Sequence, residues 1–442
     1  MEKNKLFTFI AIFFFCGLSF AQENEEPKLW EYLDMGGYTR GEAHIPISTT
    51  QDKSVYLADT TELKVKSRFG KTISGFAALR GRFDELNEDA EADFDCREGY
   101  LMFRGRWLDI TFGQQIIPWG KADAINPTDN LCARDKTIFS SEPDDQRLGS
   151  LAAKIDAYFG DFTITGVWQP ILKDSKFLIP PMEDFEYMIP ENFRPEDIKI
   201  KDPVLPARNI SNSALALKCS ATLRRIDLSA SYFYGYSTYP DFILGKIVYE
   251  PETEVEVLPV FNRIHVIGGD FSFVIDPFII RGEGAYTIVK RPKTLEIRQL
   301  RQSYLHWILG LEWECTEDMV ISPQYSMIYI PDYKPIEQEP EYPYLRVARA
   351  NRTLHRQDRP YTHIVTLRAD YRFVQKTLLL QFKGIFFVGN REYRIRPRIV
   401  YDINDHFQVT TAADIFFGPK KSKFWMYSRH FSRLFLELKY SF

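Results

Sequence analysis

The sequence predicts an all-β chain: a transmembrane, antiparallel, up-and-down β-barrel of about 18 strands, with 16 as the alternative count. Three observations carry that expectation. Segments of apolar and polar alternation recur along all 442 residues. The connections between them sort by parity, every second one tight and the others mostly long. The last ten residues alternate and stop on an aromatic carboxyl terminus.

In chain order the alternating segments fall at 33–45, 60–70, 71–84, 95–107, 108–118, 148–160, 161–172, 211–223 and 226–238. They continue at 263–276, 277–290, 302–315, 318–331, 360–374, 376–389, 390–403, 405–418 and 432–442. The total is even, as bacterial single-chain barrels require. Tight turns lie at 69–71, 107–109, 159–161, 224–226, 276–277, 315–318, 373–376 and 402–405. Long connections lie at 46–59, 85–94, 119–147, 173–210, 239–262, 291–301, 332–359 and 419–431. Only Gly389 to Arg391 is short on the long-loop side. Short turns at one end and long loops at the other are a barrel trait; a soluble sandwich has no reason to sort its loops this way.

In the closing strand Leu434, Leu436, Leu438, Tyr440 and Phe442 share one face, and Arg433, Glu437, Lys439 and Ser441 the other. The row resembles the C-terminal targeting strand of bacterial outer-membrane barrels, which implies a barrel-assembly machinery as partner. At the other end, Lys3 and Lys5 precede an apolar run from Leu6 to Phe15, and Ser19-Phe20-Ala21 is a small-x-small cleavage site. Residues 1–21 therefore read as a cleaved secretory signal, and 22–442 as the barrel. Cys16 is preceded by Phe13, Phe14 and Phe15, where a lipoprotein site needs small residues.

Composition narrows the classes further. The chain is 45% hydrophobic and 26% charged, and beyond the signal no stretch approaches the roughly 20 apolar residues of a helical span. Aromatics make up 15%, with 35 Phe and 24 Tyr, which suits a lipid-facing wall with interfacial girdles. A net charge of −4 lacks the basic footprint of nucleic-acid binding. Cys96, Cys132, Cys219 and Cys315 show no CxxC spacing and no matching histidine pairs, so neither a metal site nor a cofactor is expected. Export permits disulfides, and Cys96 with Cys132 is the one pair expected near enough on the same side. Cys219 falls on an apolar face. The outer loops are polar and proline-broken. Residues 173–210 carry Glu183, Asp184 and Glu186, and 332–345 carry Glu337, Glu339 and Glu341; solvated surface is the expected role.

Alternation also assigns faces. Tyr393, Ile395, Pro397, Ile399 and Tyr401 form one row, and Arg394, Arg396 and Arg398 the opposite one. A charge facing lipid at the midplane costs roughly 2–4 kcal/mol, so the arginines face the lumen. The same reasoning turns Lys64, Lys66, Arg68, Arg80, Arg82, Arg104, Arg106, Arg368, Arg372 and Lys383 inward. Acidic Glu62, Glu98, Glu283, Glu312, Glu314, Asp370 and Asp414 share the interior. The basic residues outnumber the acids near them, which predicts a field that attracts anions. Arginine forks suit carboxylate or phosphate groups.

Residues 113–135 are more specific. Trp119-Gly120-Lys121 with Asp123, then Asn126-Pro127 to Asp129, then Arg134-Asp135, resemble the W-G-K…N-P-x-D…R-D signature of a porin-like group of outer-membrane barrels of poorly characterised function. Strand count and basic lumen are also similar to alginate-export barrels. The resemblance implies an outer-membrane conduit. The 119–147 loop is expected to fold inward as a constriction. Asp123, Asp129, Asn130 and Asp135 carry oxygens of the kind that bind Ca²⁺, but self-bonded Asn and Asp turns or Arg134 pairs are the expected use.

Catalysis is not expected. The seven histidines form no nucleophile–base pattern, and no GxSxG, HExxH, Walker or Rossmann motif occurs. His306 shares a face with Glu312 and Glu314 and nothing more. The functional expectation is a porin passing small or polymeric anionic solutes. A barrel for surface assembly, polysaccharide export or adhesion with a partner protein is the alternative, and an outer-membrane hydrolase a more distant one.

Overall fold

The computed structural model describes residues 33–47, 55–85, 92–123, 125–180, 184, 194–249, 253–290, 300–336 and 344–442. The signal segment and loop acids Glu183, Glu186, Glu337, Glu339 and Glu341 lie outside the described residues.

Eighteen antiparallel strands close into one barrel. They are β1 Leu33–Pro46, β2 Tyr56–Phe69, β3 Ile73–Asp84, β4 Asp93–Arg104, β5 Leu108–Gln115, β6 Ser150–Phe159, β7 Phe162–Gln169, β8 Ala214–Thr222 and β9 Ile226–Tyr236. The second half comprises β10 Arg263–Ile275, β11 Phe278–Val289, β12 Tyr304–Thr316, β13 Met319–Tyr329, β14 Tyr361–Phe373, β15 Leu378–Phe387, β16 Glu392–Asp402, β17 Phe407–Phe417 and β18 Arg433–Ser441. Each pairs with its sequence neighbour, and β18 returns to β1 with Tyr38 opposite Ser441 and Pro46 opposite Arg433. Closure leaves no unpaired edge, the condition for strands in lipid. No helix among the described residues is long and apolar enough to cross a membrane.

Facing follows the pleat. On β18, Leu434, Leu436 and Leu438 are 45%, 51% and 52% exposed, whereas Phe435 and Glu437 between them are 2% and 1%. The exposed row is the outer, apolar surface. Phe442 lies just past the strand, yet it exchanges backbone hydrogen bonds with Gly37 at 2.9 and 3.0 Å and completes the seam. Exposed Phe69, Phe103, Trp107, Phe159, Phe162 and Phe407 ring the short-turn rim as an aromatic girdle.

The long loops are more structured than their composition suggests. Ile198–Ile200, Asp241–Val248 and Glu254–Val260 form a small sheet. Two helices follow: α1 Tyr344–His355 and α2 Lys423–His430. The Ser422 hydroxyl caps α2 by accepting from Trp425 N at 3.2 Å. Phe424 of α2 packs with inward-facing Ile328, Ile364, Phe387 and Phe416, which seats the helix in the long-loop mouth. Sequence alternation has no signal for these helices, because each is short and held by tertiary contacts.

Candidate functional site

The segment after β5 does not stay outside. It turns into the lumen and lies against the inner wall. Ile117, Trp119 and Leu131 are buried with Ala152, Val167, Ala216, Phe233, Ile264, Val266, Ala285 and Val289, so one side of the loop is glued to β6–β11 by apolar contact. Lys218 Nζ stands 5.8 Å over the Trp119 ring.

The W-G-K and N-P-x-D blocks have one shared role here: they wrap the carboxylate of Glu283 on β11. Lys121 N and Ala122 N donate to Oε2 at 3.0 and 3.2 Å. Thr128 N and its hydroxyl both donate to Oε1 at 2.8 Å. Asn126 Nδ2 donates to Ala122 O at 2.8 Å and reaches Oε2 at 3.4 Å. Gly120 adopts φ +96, and a Cβ there would stand 2.5 Å from the carboxylate. Only glycine meets both demands. Sequence reasoning counted Glu283 as a lumen acid but missed its role as the loop's anchor.

The loop's other face carries acids that reach arginines on the barrel wall. Asp123 pairs with Arg368 at 3.2 Å and Arg281 at 3.5 Å. Glu142 pairs with Arg398 at 2.7 Å. Asp145 pairs with Arg40 of β1 at 2.7 Å, and its carbonyl accepts from Arg80 at 3.0 Å. Burial opposes charge on Asp145, but Arg40, Ser140 and Arg97 hold its pKa below the usual carboxylate range. Arg40 was missed in the sequence reading, although Tyr38, Arg40, Glu42 and His44 form a period-2 polar row. Asp129 bonds Arg134 at 3.2 Å and Arg147 at 2.8 Å, and Asp135 bonds Thr137 N at 3.0 Å. Asn130 Nδ2 donates to Pro127 O at 3.2 Å. The loop acids thus face separate cations and turns; among the described residues no three metal-ligating side chains converge.

Most predicted wall cations face the lumen, but many are paired. Lys64 meets Glu62 at 3.2 Å, Arg80 meets Asp95 at 3.1 Å, and Arg82 meets Asp84 at 2.7 Å. Arg394 and Arg396 share Asp414, the latter at 2.9 Å. Lys66, Arg68 and Arg372 lie toward the short-turn rim, with no ion pair among the described residues. Arg104 ends its strand exposed. Arg106 is a correction: it occupies the bend between β4 and β5, because β4 stops at Arg104. Lys383 lies side by side with Arg368 on one neighbouring strand and Arg396 on the other.

The Cys96–Cys132 bridge is also corrected, both being free cysteines. A bulge at Arg97 shifts the register so that Cys96 pairs with Leu79 and shares its outward face, whereas Cys132 is buried in the interior loop. Burial pushes the Cys132 thiol up to about 12. His306 is buried and its Nε2 lies 2.8 Å from Ser326 Oγ.

No known family profile matches this sequence, and no curated protein matches it either. Solved structures do match its fold. Pseudomonas aeruginosa OccK2 (OpdF), solved in complex with glucuronate, aligns at TM-score 0.56 and 10% identity, covering 93% of this chain and 98% of that one. Pseudomonas aeruginosa OccK5 (OpdH) aligns at TM-score 0.54 and 11% identity, over 93% and 98%. Acinetobacter baumannii OccAB3 aligns at TM-score 0.53 and 9% identity, over 93% and 99%. The barrel fold is common to all of them.

Proposed function

We propose that this chain is an outer-membrane channel that passes small anionic solutes, with the 119–147 loop as its constriction. The observation that carries the reading is the inward row Arg368, Lys383, Arg396 on three adjacent strands. Arg368 and Arg396 have carboxylate partners, while Lys383 has none within ion-pair distance among the described residues. A lone ammonium between two guanidinium groups leaves net positive potential at one point of a narrowed lumen, where a solute carboxylate replaces water. The wide apolar exterior supports membrane residence, and the polar, loop-narrowed interior supports conduction. The OccK2 structure holds glucuronate, so acidic sugars are the first solutes to try. Among the described residues Ser326 and His306 do pair a hydroxyl with a base at 2.8 Å, but both are buried away from the open lumen, which favours the conduit reading over the enzyme one.

The test is the reversal potential of the refolded protein in a planar bilayer under a salt gradient. A potential favouring chloride, reduced in Lys383→Gln, supports the reading. A cation-favouring potential, or no conductance, sinks it.

A further inference from the structure

On the outer wall at the long-loop rim, three neighbouring strands carry a descending gradient of side chains. At the top Tyr236, Arg263 and Lys290 stand in one row: Tyr236 is opposite Arg263, and Lys290 N donates to Arg263 O at 2.8 Å. One step down lie Tyr234, His265 and Ile288. Then come Tyr232, Ile267 and Tyr286, and below them Ala230, Gly269 and Gly284. Two cations bracket one ring, Arg263 Cζ at 4.8 Å and Lys290 Nζ at 5.2 Å from the Tyr234 centroid. Arg263 also lies 4.6 Å over Tyr236 and donates to Ser211 O at 2.6 Å. The Tyr232 hydroxyl bonds His265 Nδ1 at 2.7 Å. Among the described residues neither Arg263 nor Lys290 has a carboxylate within ion-pair distance.

This arrangement differs from the lumen stretches where Lys64, Arg80, Arg82, Arg368, Arg396 and Arg398 each meet an acid. Aromatic rings alone would make an interfacial girdle. Two unpaired cations held in place by those rings add a phosphate-sized positive site. Beneath it, the Ala230–Gly269–Gly284 row leaves a shallow trough beside Trp307, since only small groups project there.

We propose that this face binds a phosphorylated lipid of the outer leaflet, its headgroup phosphate between Arg263 and Lys290 and an acyl chain along the glycine trough. The proposal rests on the outer-membrane reading above. It commits to lipid over a second copy of the chain because the top row offers uncompensated positive charge above an apolar trough. That polarity matches an anionic amphiphile.

The test is native mass spectrometry of the detergent-purified, folded full chain titrated with a bisphosphorylated lipid A-type glycolipid. The dephosphorylated form of the lipid and the variant Arg263→Gln/Lys290→Gln run in parallel. Removing two interfacial cations is expected to weaken retention about thirtyfold. Bilayer conductance of the variant should equal that of the parent, because neither residue faces the lumen. Equal retention by parent and variant, or equal retention of the dephosphorylated lipid, overturns the proposal. So does a lipid-free dimer that the double variant abolishes, which assigns the face to a second copy. A parent that inserts and conducts but holds no lipid refutes this site alone; a parent that never inserts refutes the membrane reading as well.

Discussion

Glu283 and Gly120 are in direct apposition: the carboxylate occupies the space where any other residue at 120 would place its Cβ, at 2.5 Å. Glu283 lies on β11 and Gly120 on the interior loop, so this contact sets where the loop crosses the lumen. Replacing Glu283 with Ala strands the donors of Lys121, Ala122 and Thr128. Charge-assisted bonds of this kind contribute about 1.5–3 kcal/mol each. We expect the barrel to fold, but with a larger and noisier single-channel current and protease cleavage near the loop. An unchanged current would show that the loop does not set the conductance. Gly120→Ala should move the same readouts in the same direction.

The arginine row of β16 makes a second prediction. Arg394, Arg396 and Arg398 meet Asp414 and Glu142. Serine at all three positions leaves those two acids uncompensated. The reversal potential should move toward cations by an amount readable in a tenfold salt gradient. Unchanged selectivity in the triple variant defeats the basic-wall idea.

Acid should loosen the outer cap. Asp241 Oδ1 lies 2.9 Å from His355 Nε2 of α1, with Arg301 3.4 Å from its other oxygen. Burial opposes its charge, but Arg301 and His355 depress its pKa from 3.8 to about 2. A depressed carboxylate contributes stability above its unfolded pKa and loses it as pH falls through the folded one. Burial also lowers the His355 pKa below its usual 6.5. A depressed histidine likewise favours the fold at higher pH, and its contribution falls as pH drops below 6.5. Both signs agree, so protection factors in α1, with the intrinsic pH dependence of amide exchange divided out, should fall progressively as pH drops from 7 toward 3. Protection that is flat across that window would exclude the latch.

The seam offers a stability test. A Cβ at Gly37 would collide with the Glu62 carbonyl and with the Phe442 ring, at 2.9 Å from Cζ. Gly37→Val should destabilise closure by at least the 1–3 kcal/mol typical of overpacking, about the cost of a forced shift in packed strands. Lower heat resistance on unboiled gels reads this out. Deleting Phe442 should reduce assembled protein in the outer membrane without changing synthesis.

Much of the barrel was legible because alternation is local. Leu434, Leu436 and Leu438 face out and Arg394, Arg396 and Arg398 face in, as a strict period of 2 demands. What was illegible depended on distant partners or on breaks in that period. The one-residue bulge at Arg97 inverts the facing of Cys96 and separates it from Cys132. Arg106 looks like a wall cation until the strand is seen to end two residues earlier. Glu283, Arg40 and the helix α2 acquire meaning only from contacts made across the lumen.

The interior loop also has an implication for timing. It is translated directly after β5, but its partners include Glu283, Arg368 and Arg398, the last contact spanning 256 residues of chain. The loop cannot collect that set until β16 is inserted, nor engage Arg40 in its final position before the ends of the sheet meet. Long-range contacts of this sort form late. On the channel reading proposed above, narrowing is then the closing event of biogenesis, and a nascent barrel stalled before its last strands would be a wide, unguarded hole in the membrane.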